Sequence, residues 1–410
     1  MLKPSVPEVV LNPNLVKSPG LKILMLSWEY PPNVVGGLSR HVYNLSVHLA
    51  KMGCDVHVIT AGNNELQHFE LINGVKVHRV IPINNQDPNF LSWIGGLNLA
   101  MAFKAEKLAE ETRFNLIHAH DWLVGVAAIA IKDLISIPLL STIHATEHGR
   151  NNGIYTEIQK FIHSKEQQLI TASNQIIVCS DYMKIHLSTV FEVARNTIAV
   201  IPNGVDAPGS IQDVQTIFPE LHNKKYIVSI GRIVKEKGFE TIIEAAAIAK
   251  EKKWDYFFVI AGKGPMLDVY RRQVQERQLT NQITFVGYIS DTQRNALIAG
   301  SELAVIPSLY EPFGIVVLES LVLGKPTIVS NTGGMKGIVK HLQTGLLMNP
   351  GDPESMLEQI RFLEENPIHA KQMGVRGREI VKSLYGWNRI ASETARVMND
   401  TVIKVQVNEP

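Results

Sequence analysis

The sequence predicts an α/β protein built from two successive open-sheet domains. Short apolar runs alternate with longer segments of helical periodicity, which is typical of parallel sheets covered by helices. This alternation restarts after a turn cluster and a polar stretch at residues 202–225. A chain of 410 residues is also too long for a single compact core. We therefore expect two domains with a cleft between them.

In the first half, apolar runs bounded by turn residues predict the strands. They lie at residues 21–26, 55–60, 75–81, 116–120, 138–143, 175–179 and 198–201. Helical periodicity predicts helices at residues 38–52, 97–113, 123–134 and 153–171. Residues 1–20 have no periodicity, and we expect them to form a disordered tail.

The second half repeats the same order of elements. Strands are predicted at residues 226–230, 256–261, 283–286, 303–306 and 327–329, and helices at 238–250, 266–278, 291–300 and about 387–398. The polar stretch after residue 205 sets the boundary, so we expect domains at 21–205 and 206–385.

Composition indicates an ordinary globular enzyme. Hydrophobic residues make up 45% and charged residues 19% of the chain, and the net charge of +1 argues against a nucleic-acid partner. Only Cys54 and Cys179 are present, which excludes a disulfide framework and, with no signal-peptide pattern, predicts a cytoplasmic protein. No apolar run approaches the roughly 20 residues that span a bilayer. Peripheral membrane contact through a small basic patch is left open.

The stretch from Ile306 to Gly334 carries the most chemistry. A turn-rich segment is followed by a helix that begins near Gly314 and ends near Gly324. The free amides of its first turn, at Gly314, Ile315 and Val316, suit a diphosphate.

Two carboxylates border that turn, Glu311 before it and Glu319 within it. One can hold a ribose while the other holds a second sugar. The alternative is that Glu311 only complements the helix dipole and that Glu319 is solvated.

Three other segments predict anion-binding or nucleotide-binding loops. Arg232 follows the first strand of the second domain, and Lys237 precedes a helix, so both suit a diphosphate unless they form a solvated loop. Gly36 and Gly37 stand between a strand and a helix, where backbone N–H groups can approach a phosphate. We place Gly264 and Tyr288 beside the nucleobase rather than beside the diphosphate. Two ordinary strand–helix turns explain these positions equally well.

Histidines follow two strands of the first domain. His144 comes directly after the strand at 138–143, and Asp121 follows His118 and His120. A lone histidine there more often packs than catalyses. We predict no metal site, because no third ligand stands at suitable spacing and the sequence has no Asp-x-Asp motif.

Glu311-Pro312-Phe313-Gly314, with Glu319 eight positions after Glu311, resembles the signature of the family-4 retaining glycosyltransferases. The resemblance extends from Leu21 to about Thr394. It implies the GT-B fold, in which two Rossmann-like domains face each other across a cleft. Domain 21–205 would then lie on the acceptor side, domain 206–385 would bind the nucleotide sugar, and the helix within 386–410 would cross back to the first domain.

The resemblance also implies roles for the site residues. Glu311 would hold sugar hydroxyls near the reacting carbon, or less favourably act as a covalent nucleophile, and Glu319 would hold the ribose. The backbone carbonyl of His144 would face the transferred sugar. His120-Asp121-Trp122 resembles glycogen synthases, which suggests glucose as the sugar, a glucan or sugar acceptor and Asp121 on the acceptor side. Those enzymes carry Lys before the paired glycines, whereas this chain has Val34 and Val35.

These features together predict a retaining, metal-independent hexosyltransferase with a nucleotide-diphosphate sugar as donor and no cofactor. An enzyme similar to sucrose-phosphate synthase and a transferase acting on lipid-linked sugars are the alternatives within the family. A nucleotide-sugar epimerase on the same fold and a non-catalytic sugar-nucleotide sensor are alternatives from other classes. The donor base and the acceptor stay undetermined.

Overall fold

The computed structural model describes residues 20–408, so the predicted tail lies, apart from Gly20, outside the described residues. The strands of the first half are β1 (Lys22–Leu26), β2 (Asp55–Ala61), β3 (Phe69–Ile72), β4 (Val75–Val80), β5 (Leu116–His120), β6 (Leu139–Ile143), β7 (Gln175–Val178) and β8 (Ile198–Val200). Its helices are α1 (Gly37–Lys51), α2 (Phe90–Glu111), α3 (Gly125–Ile135), α4 (Glu147–Asn151), α5 (Glu157–Ala172) and α6 (Asp181–Val190).

The second half follows the same plan. Its strands are β9 (Ile227–Ile230), β10 (Phe258–Ala261), β11 (Ile283–Gly287), β12 (Leu303–Ile306), β13 (Thr327–Ser330) and β14 (Leu346–Met348). Its helices are α7 (Val214–Ile217), α8 (Phe239–Glu251), α9 (Leu267–Glu276), α10 (Asp291–Gly300), α11 (Ile315–Val322), α12 (Met335–Ile338), α13 (Pro353–Glu365), α14 (Pro367–Leu384) and α15 (Trp387–Asn408). Short 3-10 turns lie at Trp122–Val124, Arg195–Thr197, Pro219–Leu221 and Lys235–Lys237.

Two open sheets carry these elements. The first has the strand order β3-β4-β2-β1-β5-β6-β7-β8, and the second has the order β11-β10-β9-β12-β13-β14. All pairs are parallel except β3 with β4, where an antiparallel edge strand is added that the sequence pattern did not predict. The central strands are buried on both faces, which explains their continuous apolar runs.

The chain order reverses at the middle of each sheet, beside β1 in the first and beside β9 in the second. In open α/β sheets, ligands bind where strand order reverses, outside the carboxyl ends of the strands. The loops that follow β1 and β5 in one domain and β9 and β12 in the other are therefore the expected walls of a ligand site.

The last helix packs on the first domain. Buried residues of α15, including Ile390 and Met398, share a core with Val42 and Leu45 of α1. At the crossing, Gly204 lies so close to the Trp387 indole that a Cβ at residue 204 would stand 2.5 Å from its ring. None of the helices in the described part of the chain combines the length and apolarity that crossing a membrane requires.

Several helix boundaries differ from the prediction for local reasons. Helix α2 begins at Phe90 rather than at residue 97, because the Asn89 side chain accepts hydrogen bonds from the N–H groups of its first turn. The predicted helix at 153–171 is wrong at its start, since Thr156 and Gln159 form a capping box that begins α5 at Glu157. Helices α4, α6, α7, α12, α13 and α14 and strand β14 were not predicted.

Candidate active site

Helix α11 begins at the predicted anion-binding turn. Gly314 caps it with a φ of 110°, a backbone conformation that favours glycine, and a Cβ there would stand 3.0 Å from Met335 Cγ. Within residues 20–408, no backbone carbonyl accepts from the N–H groups of Gly314, Ile315 and Val316. These donors are therefore free of backbone partners at the positive end of the helix dipole.

Lys237 and Glu311 form an ion pair at this turn. Lys237 Nζ lies 2.6 Å from Glu311 Oε2, and both side chains are largely buried. Ser308 Oγ donates to the same carboxylate oxygen over 3.3 Å. The predicted phosphate-binding cation and the predicted sugar-binding carboxylate are thus direct neighbours, joined by the loops after β9 and β12.

Glycines allow these two loops to approach each other. Gly238, directly after Lys237, has a φ of 67°, and a Cβ there would stand 2.1 Å from the Pro307 carbonyl oxygen. Gly333, with a φ of 55°, lies equally close to the Glu311 carbonyl, and Gly334 donates its N–H to that carbonyl over 2.9 Å. The Lys237–Glu311 geometry therefore depends on backbone contacts that only glycine permits.

Glu319 is 5% exposed and is held by two arginines. Its Oε1 lies 2.9 Å from Arg294 Nη1 and 3.3 Å from Arg40 Nη1. Its Oε2 is buried, and no partner for it exists among the described residues. Glu319 is therefore not a solvated position: it is held by two cationic side chains and has one oxygen still available.

The paired glycines of the first domain face α11 across the cleft. A Cβ at Gly37 would stand 3.0 Å from Ile315 Cδ1, so the first turns of α1 and α11 meet here. The Gly36 amide, however, donates to Glu29 Oε2 over 3.1 Å, and the Val35 amide donates to the same oxygen over 2.6 Å. A phosphate contact at Gly36 would therefore have to displace Glu29, a residue that the motif analysis missed.

Arg232 is the more exposed of the two cations in the predicted diphosphate group. Its Nη2 lies 3.3 Å from Glu236 Oε1, and its side chain is 44% exposed. Burial raises the pKa of Glu29, and the nearby Arg232 charge opposes that shift. Arg232 therefore lies close enough to the glycine loop of the opposite domain to interact with its buried carboxyl group.

His144 and Asp121 are joined through the backbone. The His144 N–H donates to Asp121 Oδ1 over 2.7 Å, and its ring Nε2 lies 3.1 Å from His120 Nδ1. Burial lowers the pKa of His144 to about 4, so the ring is neutral at physiological pH. Asp121 thus holds the loop that carries His144, with one carboxylate oxygen committed inside the protein.

Both domains contribute to one closed site. Ser180 Oγ donates to the Pro312 carbonyl across the cleft over 2.6 Å. Burial, with smaller contributions from Glu311 and Asp121, raises the pKa of the Cys179 thiol to about 12. The acids from the two domains therefore lie near the same buried thiol.

Comparison with known proteins now identifies the family. A model of the family described as Glycosyltransferase Family 4 matches residues 35–207, and one described as Glycosyl transferases group 1 matches residues 212–380. An uncharacterized glycosyltransferase of Methanocaldococcus jannaschii is 33% identical, with 92% of this chain and 97% of the relative covered. A glycogen synthase of Mycobacterium tuberculosis is also 33% identical, covering 92% of this chain and 94% of the relative. The chain is a family-4 glycosyltransferase.

Solved structures confirm that this glycosyltransferase has the GT-B fold. Sucrose-phosphate synthase from Thermosynechococcus elongatus superposes with a TM-score of 0.82 at 23% identity, covering 93% of this chain and 98% of the other. The catalytic domain of starch synthase IV from Arabidopsis thaliana, bound to ADP and acarbose, superposes with a TM-score of 0.74 at 16% identity. It covers 93% of this chain and 99% of the other.

The two nucleobase candidates differ in their surroundings. A Cβ at Gly264 would stand 2.3 Å from the Ile233 carbonyl oxygen, so packing of this turn against the neighbouring loop explains the glycine. Tyr288 is 57% exposed, and Lys263 Nζ lies 4.8 Å from its ring centroid. In this glycosyltransferase, Tyr288 offers an open aromatic face, whereas Gly264 provides close backbone contact.

The fold adds a third histidine beside His144 that the sequence reading missed. His41, from α1, joins His120 and His144, and their candidate ligand atoms all lie within 4.8 Å of one another. The expectation that no third ligand is available was therefore wrong, because sequence spacing does not reveal which helix packs over a strand end. Burial lowers the pKa of His41 and His120 well below the usual histidine value.

The glycosyltransferase should become more stable at neutral pH when Asp121 is replaced by asparagine. Burial raises the pKa of Asp121 from 3.8 to about 6. Because the folded protein favours the neutral form, the contribution of Asp121 to stability is fully present below pH 3.8. It is lost as the pH rises through about 6. The asparagine side chain stays neutral at every pH and still accepts from the His144 N–H. The unfolding free energy of the variant minus that of wild type should therefore rise by about 3 kcal/mol as the pH increases from 4 to 7.5.

Urea unfolding of the two proteins at several pH values measures this difference. Asp133→Asn, at an exposed position on α3, controls for the substitution itself. A difference between Asp121→Asn and wild type that stays constant across this range would contradict the prediction.

Proposed function

We propose that this protein is a retaining glucosyltransferase that moves glucose from a nucleotide-diphosphate sugar to a hydroxyl of a glucan or sugar. The observation that carries the proposal is the meeting of two helix N-termini, at Gly37 and Ile315, beside the Lys237–Glu311 ion pair. Positive helix ends and a partly buried cation suit a diphosphate, and a neighbouring carboxylate suits sugar hydroxyls.

In this proposal the donor lies along the second domain. Its diphosphate accepts from the first turn of α11 and from Lys237 and Arg232. The ribose donates to Glu319 Oε2, the buried carboxylate oxygen that lacks a partner among the described residues. Tyr288 lies on the nucleobase side, and Gly264 shapes the adjoining turn.

The chemical step breaks the bond between the anomeric carbon and the donor phosphate. The acceptor hydroxyl attacks the same face, its proton passes to the departing phosphate, and the nucleoside diphosphate leaves. Lys237 and the α11 amides stabilise the negative charge that develops on the leaving group. The His144 carbonyl faces the positive charge at the anomeric carbon. Glu311 holds sugar hydroxyls rather than attacking, because its ion pair with Lys237 lowers the nucleophilicity of its carboxylate.

The glucan acceptor is favoured by the relatives. The Mycobacterium tuberculosis protein is named a glycogen synthase, and the starch synthase structure holds ADP and acarbose. UDP-glucose is the ligand named for HepE from Anabaena, which superposes with a TM-score of 0.75 at 18% identity. We therefore propose UDP-glucose and ADP-glucose as the first donors to test.

A nucleotide-release screen tests the proposal. UDP-, ADP- and GDP-glucose are each combined with glycogen, glucose, fructose 6-phosphate or a lipid extract. We expect nucleotide release that requires a glucan or sugar, and NMR of the product should find the α-configuration of the donor retained. Release that requires lipid would point to a lipid-linked acceptor, conversion of the donor without acceptor to an epimerase, and binding without turnover to a sensor.

Transfer should persist when divalent metals are chelated. Cationic side chains and helix amides supply the charge that a metal would otherwise supply to the leaving diphosphate. We expect the rate in EDTA to stay within about twofold of the untreated rate, since removing a needed Lewis acid costs several kcal/mol. Loss of activity that zinc restores in wild type, and not in a His41→Ala variant, would instead assign a metal to the histidine cluster.

A further inference from the structure

We propose that Arg40 is a positioning residue through which the first domain holds the ribose-binding carboxylate of the second. Nucleotide binding and closure of the cleft would then strengthen each other. The inference rests on the role of Glu319 in the proposed function and adds a residue of the opposite domain to the donor site.

Arg40 makes contacts across the cleft to two helices. It lies in the first turn of α1, and its Nη2 is 2.7 Å from Oδ1 of Asp291, the first residue of α10. Its Nη1 is 3.3 Å from Oε1 of Glu319 on α11. One planar guanidinium thus bridges two carboxylates of the other domain, a geometry that arginine provides and lysine does not.

The position of Arg40 on its own helix favours these contacts. The first turn of α1 contains no acidic residue, and the positive end of a helix dipole disfavours a cation there. Asp291 and Glu319 offset that repulsion only while the two domains are as close as in this structure. The charge of Arg40 therefore favours the closed arrangement.

The carboxylate that Arg40 contacts is also the one with a free oxygen. Arg40 and Arg294 both approach Glu319 Oε1, which leaves the buried Oε2 without a partner among the described residues. A ribose diol can donate to that oxygen. Closure orders Glu319 for the ribose, and by linkage the ribose favours closure to the same extent.

Calorimetric titration of full-length wild type and Arg40→Met with UDP and ADP, and with their 2′,3′-dideoxy forms, tests this. For the nucleotide that binds wild type more tightly, Arg40→Met should raise Kd at least fivefold, the lower end of typical couplings between sites. For the dideoxy form, Arg40→Met should raise Kd less than twofold, because this nucleotide lacks the ribose hydroxyls that donate to Glu319. Small-angle scattering should also find that the nucleotide compacts wild type more than Arg40→Met.

Two variants serve as controls. Lys51→Met removes an exposed cation from the last turn of α1 and should leave every Kd unchanged. Arg40→Lys should fall between wild type and Arg40→Met, because the charge remains but the fork is lost.

The outcomes separate this inference from the proposed function. If Arg40→Met lost affinity equally for the ribose and dideoxy nucleotides, or lost none, the role of Arg40 would be overturned. The proposal that the protein binds nucleotides would still stand. If wild type bound the ribose and dideoxy forms equally, the role of Glu319 would fall, and the inference with it. If wild type bound neither nucleotide, the proposed function itself would fail.

Discussion

Lys237→Met is expected to lower kcat/KM for glycosyl transfer by about 10³-fold, at the upper end of the effect of removing one preorganised donor. Lys237 Nζ lies 2.6 Å from Glu311 Oε2 within a largely buried site. The substitution removes the cation proposed for the leaving diphosphate, and it leaves the Glu311 carboxylate without its strongest partner. Both effects weaken transition-state stabilisation, so kcat should fall along with kcat/KM.

Lys252→Met is the matched control for that experiment. Lys252 also pairs with a glutamate of the second domain, Glu354, over 3.1 Å, but this pair is solvent-exposed. The control should retain wild-type kinetics, because exposed ion pairs contribute little. A Lys237→Met enzyme within tenfold of wild type would contradict the proposed role of the ion pair in the chemical step.

Glu319→Gln is expected to weaken nucleotide affinity, and kcat/KM for the donor, by about 10²-fold. The substitution preserves size but removes the charge that Arg294 and Arg40 surround. The ribose would lose a charge-assisted acceptor, and Arg40 and Arg294 would keep only Asp291 as a shared anion. Titration with UDP and ADP, together with donor kinetics, measures the loss.

Glu244→Gln provides the control for this second substitution. Glu244 accepts from both terminal nitrogens of Arg277, over 2.6 and 2.9 Å, on the surface of the same domain. Its loss should leave nucleotide affinity unchanged. If Glu319→Gln bound nucleotide as tightly as the control, the buried oxygen of Glu319 would have no part in ribose binding.

The order of elements was predictable because it depends on local patterns. Parallel strands buried on both faces read as apolar runs, and helices between them read as amphipathic segments. The positions of β1 and of β9, and hence the loops after them, follow from those runs. Likewise, Gly314 before an apolar run predicted where α11 begins, and the structure places the helix start there.

Local patterns failed where partners are distant in sequence. Arg40, Arg294 and Glu319 are separated by up to 279 residues, yet they meet at one carboxylate. The same holds for Gly333 beside the Glu311 carbonyl. No spacing rule joins such residues, because tertiary packing alone brings them together.

The sequence by itself determined the fold family, the two-domain plan and the loops that border the cleft, since each depends on apolar periodicity and on short motifs within a single loop. Only the tertiary structure decided which charges neutralise one another. It assigned Lys237 to Glu311 and Arg40 to Glu319. The reason is that electrostatic interactions act through space over a few ångströms, whatever the separation along the chain.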